Sequence, residues 1–480
     1  MSSATTSRQQ SPASPLPQAG PVAARRRPRI VPGWYRDAAG ALTWLSMLVV
    51  VALWVSGGGI RDLANPLSGD GLTTLGRITG LVSADLLLIQ VLLMARVPFV
   101  ERAYGQDELA RRHRLVGFWS FNLMLAHVVL ITLGYAVTYA QNVVAEFLHI
   151  VLDYPAMLLA LAGTAALTLV VVTSIRAARR KLRYESWHLL HLYAYLGVGL
   201  ALPHQLWTGA DFLSSPAATV YWWSLWAAAA GAMLVWRVAL PLYRSARHGV
   251  VVERVVPESP GVVSVVMRGR DLDRLRASAG QFFTWRFLDG PGWTRGNPYS
   301  LSAAPTPTQL RITAKDLGDG SGRLARLKPG TRVLLEGPYG RMHPGVRTRR
   351  KVALLAGGIG VTPLRAILEE LPQGPGDVTL VYRAHSPGDV VLQREIDDLV
   401  TAKGARVHYA LGPRIPDRRS WLPRSAAHLD DVTALRHLVP DVADHDVFVC
   451  GAVPWMEAAR DACLAAGVPP DRIHLERFSW

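Results

Sequence analysis

The sequence predicts a multi-domain membrane protein: a six-helix transmembrane bundle, then a small antiparallel β-barrel, then an α/β doubly wound domain. Three observations carry that prediction. Half of the 480 residues are hydrophobic while 18% are charged, and the two populations separate along the chain. Six apolar runs, each about the 20 residues a helix needs to span a bilayer, fall before residue 245, and none falls after it. Beyond residue 250 the pattern shortens to β-rich runs, and then strand and helix signals alternate.

The apolar runs are Ala39–Gly59, Leu75–Pro98, Leu115–Thr138, Tyr154–Ile175, Leu189–Trp207 and Ala217–Leu242. The first is long and lacks an A-x-A cleavage site, so it reads as a span rather than a signal peptide. Residues 1–33, rich in Ser, Pro, Ala and Gln, are expected to be a disordered tail. Residues 34–244 then form the membrane domain, 245–345 the barrel and 346–480 the α/β domain.

Basic residues gather before span one (Arg25, Arg26, Arg27, Arg29, Arg36), between spans two and three (Arg96, Arg102, Arg111, Arg112, Arg114), and between spans four and five (Arg176, Arg179, Arg180, Lys181, Arg183). The first alternate loop holds Arg61 and Arg77; Tyr139–Asp153 and Gln205–Pro216 hold no Lys or Arg. The positive-inside rule therefore places both termini and the whole C-terminal half in the cytoplasm. The same asymmetry reads the net charge of +16 as topology and anionic lipid rather than nucleic acid, since no basic–aromatic repeat accompanies it. Cys450 and Cys463 are the only cysteines, too few for an iron–sulfur cluster, and their cytoplasmic placement argues against a disulfide.

Four histidines inside the spans carry the chemistry. Span three has His113 and His127, and span five has His191 and His204. Both helices run outward from the cytoplasm, so the four form two levels about 20 Å apart at 1.5 Å per residue. Fourteen residues return a helix to within about 40° of its starting face, whereas thirteen leave about 140°. Pro203, just before His204, can rewind the turn and correct part of that mismatch. A lone intramembrane His reads as an interhelical hydrogen bond, but two matched pairs suit bis-His ligation of two b-type haems. Zinc would require three or four ligands at one depth, and a proton relay would place acids beside the histidines in these spans. Arg112 and Arg114 flank His113, where haem propionates could meet them; as topology markers they need no further role. His188, one turn before His191, is the alternative inner ligand. His149 reads as an interfacial residue.

In the second half, VVVERVV, GVVSVVMRG, QFFTWRFL, YSLSA, LRITAK and TRVLLEGPYG read as the strands of the barrel, and KVALLAG, DVTLVYRA and DVFVCGA as parallel strands between helices. The junction AGGIGVTPLRAIL is Gly-rich, as a phosphate-facing turn must be, although its GxGxxP departs from the dinucleotide fingerprint and a bare packing turn fits equally. Taken together, GNPYSLSAAP, AKDLGDGSGRL, EGPYG, LLAGGIGVTP, VFVCGA and HLERFSW resemble the ferredoxin–NADP reductase module. With six spans and the histidine spacing ahead of them, the chain resembles the ferric reductase and NADPH oxidase superfamily over about residues 35–480.

That resemblance implies FAD, NADP(H) or NAD(H), and the two haems as cofactors. It places Pro298, Tyr299, Ser300 and Leu301 along the flavin, with the Tyr299 ring against it and Ser300 near N5; for Tyr299 the plain alternative is strand packing. It gives Gly318, Gly320 and Ser321 the flavin pyrophosphate. Where soluble reductases carry Arg and transmembrane relatives commonly His, this chain has Asn297, which leaves charge compensation to Arg295. Gly357, Gly358, Gly360, Thr362 and Pro363 resemble the nicotinamide nucleotide turn, and Gly451 lies beside the reacting carbon with Cys450, which reads either as catalytic or as a small buried hydrophobe. Phe478 or Trp480 would be the aromatic that stacks on the flavin. Arg383 is a thin pointer to a 2′-phosphate. The implied activity takes electrons from cytoplasmic NAD(P)H through FAD and the haems to an outer acceptor, oxygen or ferric iron. The alternatives are an electron-supply subunit for a partner redox protein, and a membrane-anchored flavin reductase without haem. Partners are then membrane lipid, a nicotinamide nucleotide and a small acceptor or partner protein, with no nucleic acid.

Overall fold

The computed structural model describes residues 34–179, 184–290, 292–372 and 374–477. The predicted tail, together with Arg180, Lys181, Arg183, Phe478 and Trp480, lies outside the described residues.

Six helices of 18 residues or more are described: α1 (Trp34–Ser56), α2 (Gly69–Met94), α3 (Gln106–Thr138), α4 (Met157–Ser174), α5 (Tyr184–Trp207) and α6 (Pro216–His248). Five of them, all but α5, are long and apolar enough to cross a membrane by length and composition. α5 has the length, 24 residues, but three histidines, Pro203 and Gln205 dilute its apolar sequence. α3 starts at Gln106 rather than at Leu115. Hydropathy registers only the apolar part of a helix, whereas its first turn is set by backbone hydrogen bonding, with Asp107 and Glu108 favoured at the positive end.

Small residues bring these helices together. α2 packs along α3, and a Cβ on Gly80 would lie 2.5 Å from His127 Nδ1, so this glycine makes room for that ring. α4 packs on α5, where a Cβ on Gly163 would stand 2.8 Å from the Gly197 carbonyl oxygen. α6 is α-helical to Ala232, widens to a π-helical turn over Met233–Ala239, and resumes from Leu240. Pro241 has no N–H to reach the Arg237 carbonyl, which accounts for the irregular ladder ahead of it.

Six strands follow: β1 (Val251–Ser259), β2 (Val262–Arg268), β3 (Phe282–Phe287), β4 (Asn297–Ser300), β5 (Gln309–Lys315) and β6 (Val333–Tyr339). They form two antiparallel three-stranded sheets, ordered β1-β2-β5 and β4-β3-β6, with bridges at Val251–Arg332 and Leu301–Ile312. Phe283, Trp285, Leu301, Ile312 and Leu335 fill the space between them. The rest is a parallel sheet of β7 (Val352–Gly357), β8 (Val378–Ala384), β9 (Arg406–Leu411), β10 (Asp446–Cys450) and β11 (Ile473–Leu475), ordered β11-β10-β7-β8-β9. Separate apolar clusters cover its two faces, which makes it doubly wound.

Membrane helices and strands are joined through Glu336 of β6, which is 2% exposed. Arg237 of the π-helical turn contacts Glu336 Oε1 at 2.6 Å, Arg286 of β3 contacts Oε2 at 3.4 Å, and the Tyr339 hydroxyl donates to Oε1 at 3.2 Å. Removing a buried carboxylate strands both guanidinium groups, so Glu336→Ala is expected to cost about 3 kcal/mol and to lower the thermal midpoint of the full chain, whereas removing an exposed carboxylate, as in Asp398→Ala, leaves it unchanged.

Candidate functional site

The order of the parallel sheet reverses between β7 and β10, and a cleft of about 1780 Å³ opens at the carboxyl ends of these strands. A pocket for one small molecule holds roughly 300–1,000 Å³, so this one accommodates two nucleotides side by side. It brings together Arg295, Asn297, Pro298, Tyr299 and Ser300 on one wall, and Gly318, Gly320 and Ser321 on the loop after β5. The opposite wall supplies Gly357, Gly358, Gly360, Thr362, Pro363, Cys450 and Gly451. Leu301 is placed elsewhere: its side chain is fully buried in the core between the two three-stranded sheets, because neighbours along an extended chain face opposite sides.

Ser300 is 8% exposed, and its Oγ is buried with no hydrogen-bond partner. A hydroxyl left so costs about 1–3 kcal/mol, which a ligand atom in the cleft would recover. Burial pushes the Tyr299 phenol up to about 12, and the Trp285 indole N–H donates to its carbonyl at 2.9 Å. Asn297 approaches the glycine loop, where a Cβ on Gly320 would lie 3.1 Å from its Oδ1. The Ser321 hydroxyl accepts from Leu317 N–H at 2.7 Å and donates to the Gly318 carbonyl at 3.1 Å, so it shapes the turn rather than offering a free proton.

On the nucleotide side, Gly358 has φ +56° and Gly360 packs on the Cys450–Gly451 peptide. Thr362 donates its hydroxyl to the Ile359 carbonyl at 3.0 Å and closes the turn into α7 (Val361–Glu370). Cys450 is fully buried, and burial together with the nearby Glu476 holds its thiol well above the usual range, so it stays protonated in a packed core. Arg383 points its guanidinium at the carbonyls of Ala384, Ala410 and Pro413 and thereby ties the ends of β8 and β9 together. Arg414 on the same cleft carries no hydrogen bond or ion pair among the described residues.

Glu476, inside the quoted HLERFSW but given no role there, turns out to be central. It is 7% exposed, its Oε2 has no partner, and burial followed by repulsion from Asp107 and Glu101 raises it well above the carboxylate range. Gly340, at φ +92°, admits it, since a Cβ there would collide with the carboxyl. The signal was an acid directly after β11, which composition alone cannot tell from a solvated one.

In the membrane helices, the His113 and His191 rings face each other with centroids 6.0 Å apart and planes inclined by 61°. Two iron–nitrogen bonds of about 2 Å each, with the ring radii added, give a bis-imidazole pair a little over 6 Å between centroids. His204 and His127 are near enough to interact electrostatically at the other level. His127 Nδ1 lies 2.7 Å from the Gly76 carbonyl, and His191 Nδ1 3.3 Å from Ser174 Oγ. With Nδ1 engaged, Nε2 is presented outward, as a ligand requires. Nδ1 of His113 and of His204 is buried without a partner. His188 lies within reach of Arg237 and Arg286, toward the cleft. Arg112 is ion-paired with Glu108 at 2.9 Å and stacks over Tyr104 at 4.2 Å. Among the described residues no cluster of three or more His, Cys, Asp or Glu could hold a metal ion. Each level offers two imidazoles, so iron there would need its other ligands from a porphyrin.

Fold and cleft together set a site large enough for two nucleotides beside a group of long apolar helices. Residues 79–202 match the ferric reductase like transmembrane component, and residues 354–461 match the oxidoreductase NAD-binding domain. One chain thus carries a region similar to a ferric reductase transmembrane component ahead of a region similar to an oxidoreductase NAD-binding domain. It is similar to the ferredoxin reductase component of 3-ketosteroid-9-alpha-monooxygenase from Mycolicibacterium smegmatis, with 33% identity over 231 residues, 46% of this chain and 62% of that one. It is also similar to the flavohemoprotein of Vibrio cholerae serotype O1, with 30% identity over 255 residues, 50% of this chain and 61% of that one. The chain thus spans less than two thirds of the length of these curated relatives. A solved structure, the flavohem-like FAD/NAD binding domain of nitric oxide dioxygenase from Vibrio cholerae, aligns over 48% of this chain and 98% of its own, at 25% identity and a TM-score of 0.38.

Proposed function

We propose that the protein is a transmembrane oxidoreductase that takes electrons from cytoplasmic NAD(P)H, through FAD and two bis-His haems, to an acceptor on the outer face. The observation that carries this reading is the inner pair, His113 and His191, at the ring separation a bis-imidazole iron site needs. Bound flavin accepts a hydride as two electrons and releases them singly, which is what a b-type haem requires. The chain's own work is positioning. His113, His127, His191 and His204 hold two iron sites at two depths; Ser300 offers its hydroxyl beside the flavin; Gly357, Gly358 and Gly360 let the nucleotide backbone approach. The arrangement we infer has six spans, both termini in the cytoplasm, a flavin domain over residues 245–345 and a nucleotide domain over residues 346–480.

Spectra test it directly. Full-length protein expressed with ample porphyrin is expected to hold two haems per chain and to show a reduced-minus-oxidised b-type signal on NAD(P)H addition. A yellow preparation without that signal leaves only a tethered flavin reductase. Ser300→Ala is expected to slow flavin reduction by NAD(P)H about tenfold to a hundredfold in stopped flow, with the melting point unchanged, because the lost donor serves the reaction and not the fold.

One observation favours a second reading. Among the relatives named above is the reductase component of an oxygenase system, which supports an electron-supply role toward a partner redox protein. Purified protein with NAD(P)H and either oxygen or ferric iron separates the two, since a supply subunit turns over poorly with both.

A further inference from the structure

We propose that Asp85 of α2, with Ser46 of α1 and Tyr221 of α6, forms a site that holds one proton in the middle of the membrane domain. Asp85 is fully buried in a helix long and apolar enough to cross a membrane, and its Oδ2 has no hydrogen-bond partner. It sits five residues past Gly80, which adjoins His127, and five before Gln90, which adjoins His113 and Gly117. Along the axis it therefore lies between the two histidine levels. The α2 residues that touch α3, namely Gly76, Gly80, Ser83 and Gln90, share one side; Asp85 lies on the other, toward α1 and α6.

Counting protons decides its state. Ser46 Oγ lies 2.6 Å from Asp85 Oδ1, Tyr221 OH lies 2.7 Å from the same oxygen, and the two hydroxyls are 2.8 Å apart. Tyr221 OH also lies 3.2 Å from the Ser46 carbonyl. If Asp85 is a neutral acid protonated on Oδ1, that proton goes to Ser46 Oγ, the Ser46 proton to Tyr221, and the Tyr221 proton back to Asp85 Oδ1, with the Ser46 carbonyl as a second acceptor at 3.2 Å. Every donor then has an acceptor. If Asp85 is ionised, both hydroxyls crowd Oδ1, and Oδ2 keeps its share of the charge, buried without a donor. Ser46 and Tyr221 are the side chains that act on Asp85, and no cationic group is among them. A carboxylate at zero exposure with no cation costs kilocalories that the closed ring of hydroxyls avoids.

The ligand is thus a proton, and the site stands apart from the histidine levels and the nucleotide cleft. The test is infrared difference spectroscopy of the full chain in lipid nanodiscs at neutral pH. Wild type minus Asp85→Asn is expected to show one carboxylic acid carbonyl band that moves in deuterium oxide; Tyr221→Phe, which opens the ring, shifts that band without abolishing it. Carboxylate bands in place of the acid band, or carboxylate bands that respond to exchanging sodium for a bulky cation, overturn the proposal. Should Asp85→Asn fail to fold, the Tyr221→Phe shift decides alone: a band at the wild-type position rules the ring out.

Discussion

Replacing His127 or His204 with leucine is expected to halve the haem content of the chain, from the proposed two per polypeptide to one, and to leave NAD(P)H-driven flavin reduction unchanged. His127 contributes a hydrogen bond to the Gly76 carbonyl, worth about 1 kcal/mol, and its ring occupies the space that Gly80 leaves clear. Leucine fills much of that space, so the helix pair survives. What disappears is one of only two imidazoles at the outer level, and the remaining one cannot hold iron in the same way. Losing a supporting partner of a metal ligand already costs 10–100-fold in affinity, so loss of the ligand itself is expected to cost more than about a hundredfold. Haem is counted as the pyridine haemochrome, and flavin reduction by a soluble dye that does not need the membrane domain. Two haems retained in either variant would falsify the assignment of the outer pair.

Gly360→Ala is expected to abolish productive nucleotide binding while leaving the flavin in place. A Cβ at this position would collide with the Cys450 carbonyl oxygen and lie 2.5 Å from its carbon and 2.7 Å from Gly451 N. Those are backbone atoms at the end of β10, a strand held between β11 and β7, so neither side can give way. Overpacking of this kind costs about 1–3 kcal/mol, at tenfold per 1.4 kcal/mol. The apparent affinity for NAD(P)H should therefore fall tenfold or more, read from the saturation of flavin reduction. Gly358→Ala is the control. Gly358 has φ +56° and open space where its Cβ would go, so that variant suffers strain of about 1–2 kcal/mol but no collision. The distinguishing result is which part of the cleft moves: Gly360→Ala should shift Gly451 and trap nucleotide poorly, whereas a stable Gly358→Ala protein should lose less nucleotide affinity than Gly360→Ala. Equal losses in the two variants would show that the peptide contact is not the determinant.

How the inner and outer histidines meet shows where sequence reasoning is strong and where it needs the fold. The fourteen-residue step from His113 to His127 fixes a shared face by helical periodicity alone. The thirteen-residue step from His191 to His204 does not, and the pairing depends on how α5, with Pro203 inside it, lies against its neighbours. Likewise the glycine turns were legible because positive φ and close backbone approach demand glycine, while Leu301 looked like its neighbours until strand alternation turned it into the core. Arg383 resembled a phosphate ligand by position, yet three carbonyls at the ends of two strands claim its guanidinium.

By itself, then, the sequence determined the number and length of the apolar runs, the histidine spacings, the switch from spans to strands, and the glycine turns of the nucleotide sheet. Each of these is a local pattern, set by bond geometry and the rise of a helix or strand. Only the tertiary structure decided that Glu336 joins the two halves, that Glu476 is buried against Gly340, and that Asp85 meets Ser46 and Tyr221. Those contacts join residues far apart in the chain, and their existence rests on the angle at which packed elements turn toward one another, which no periodicity along a single segment encodes.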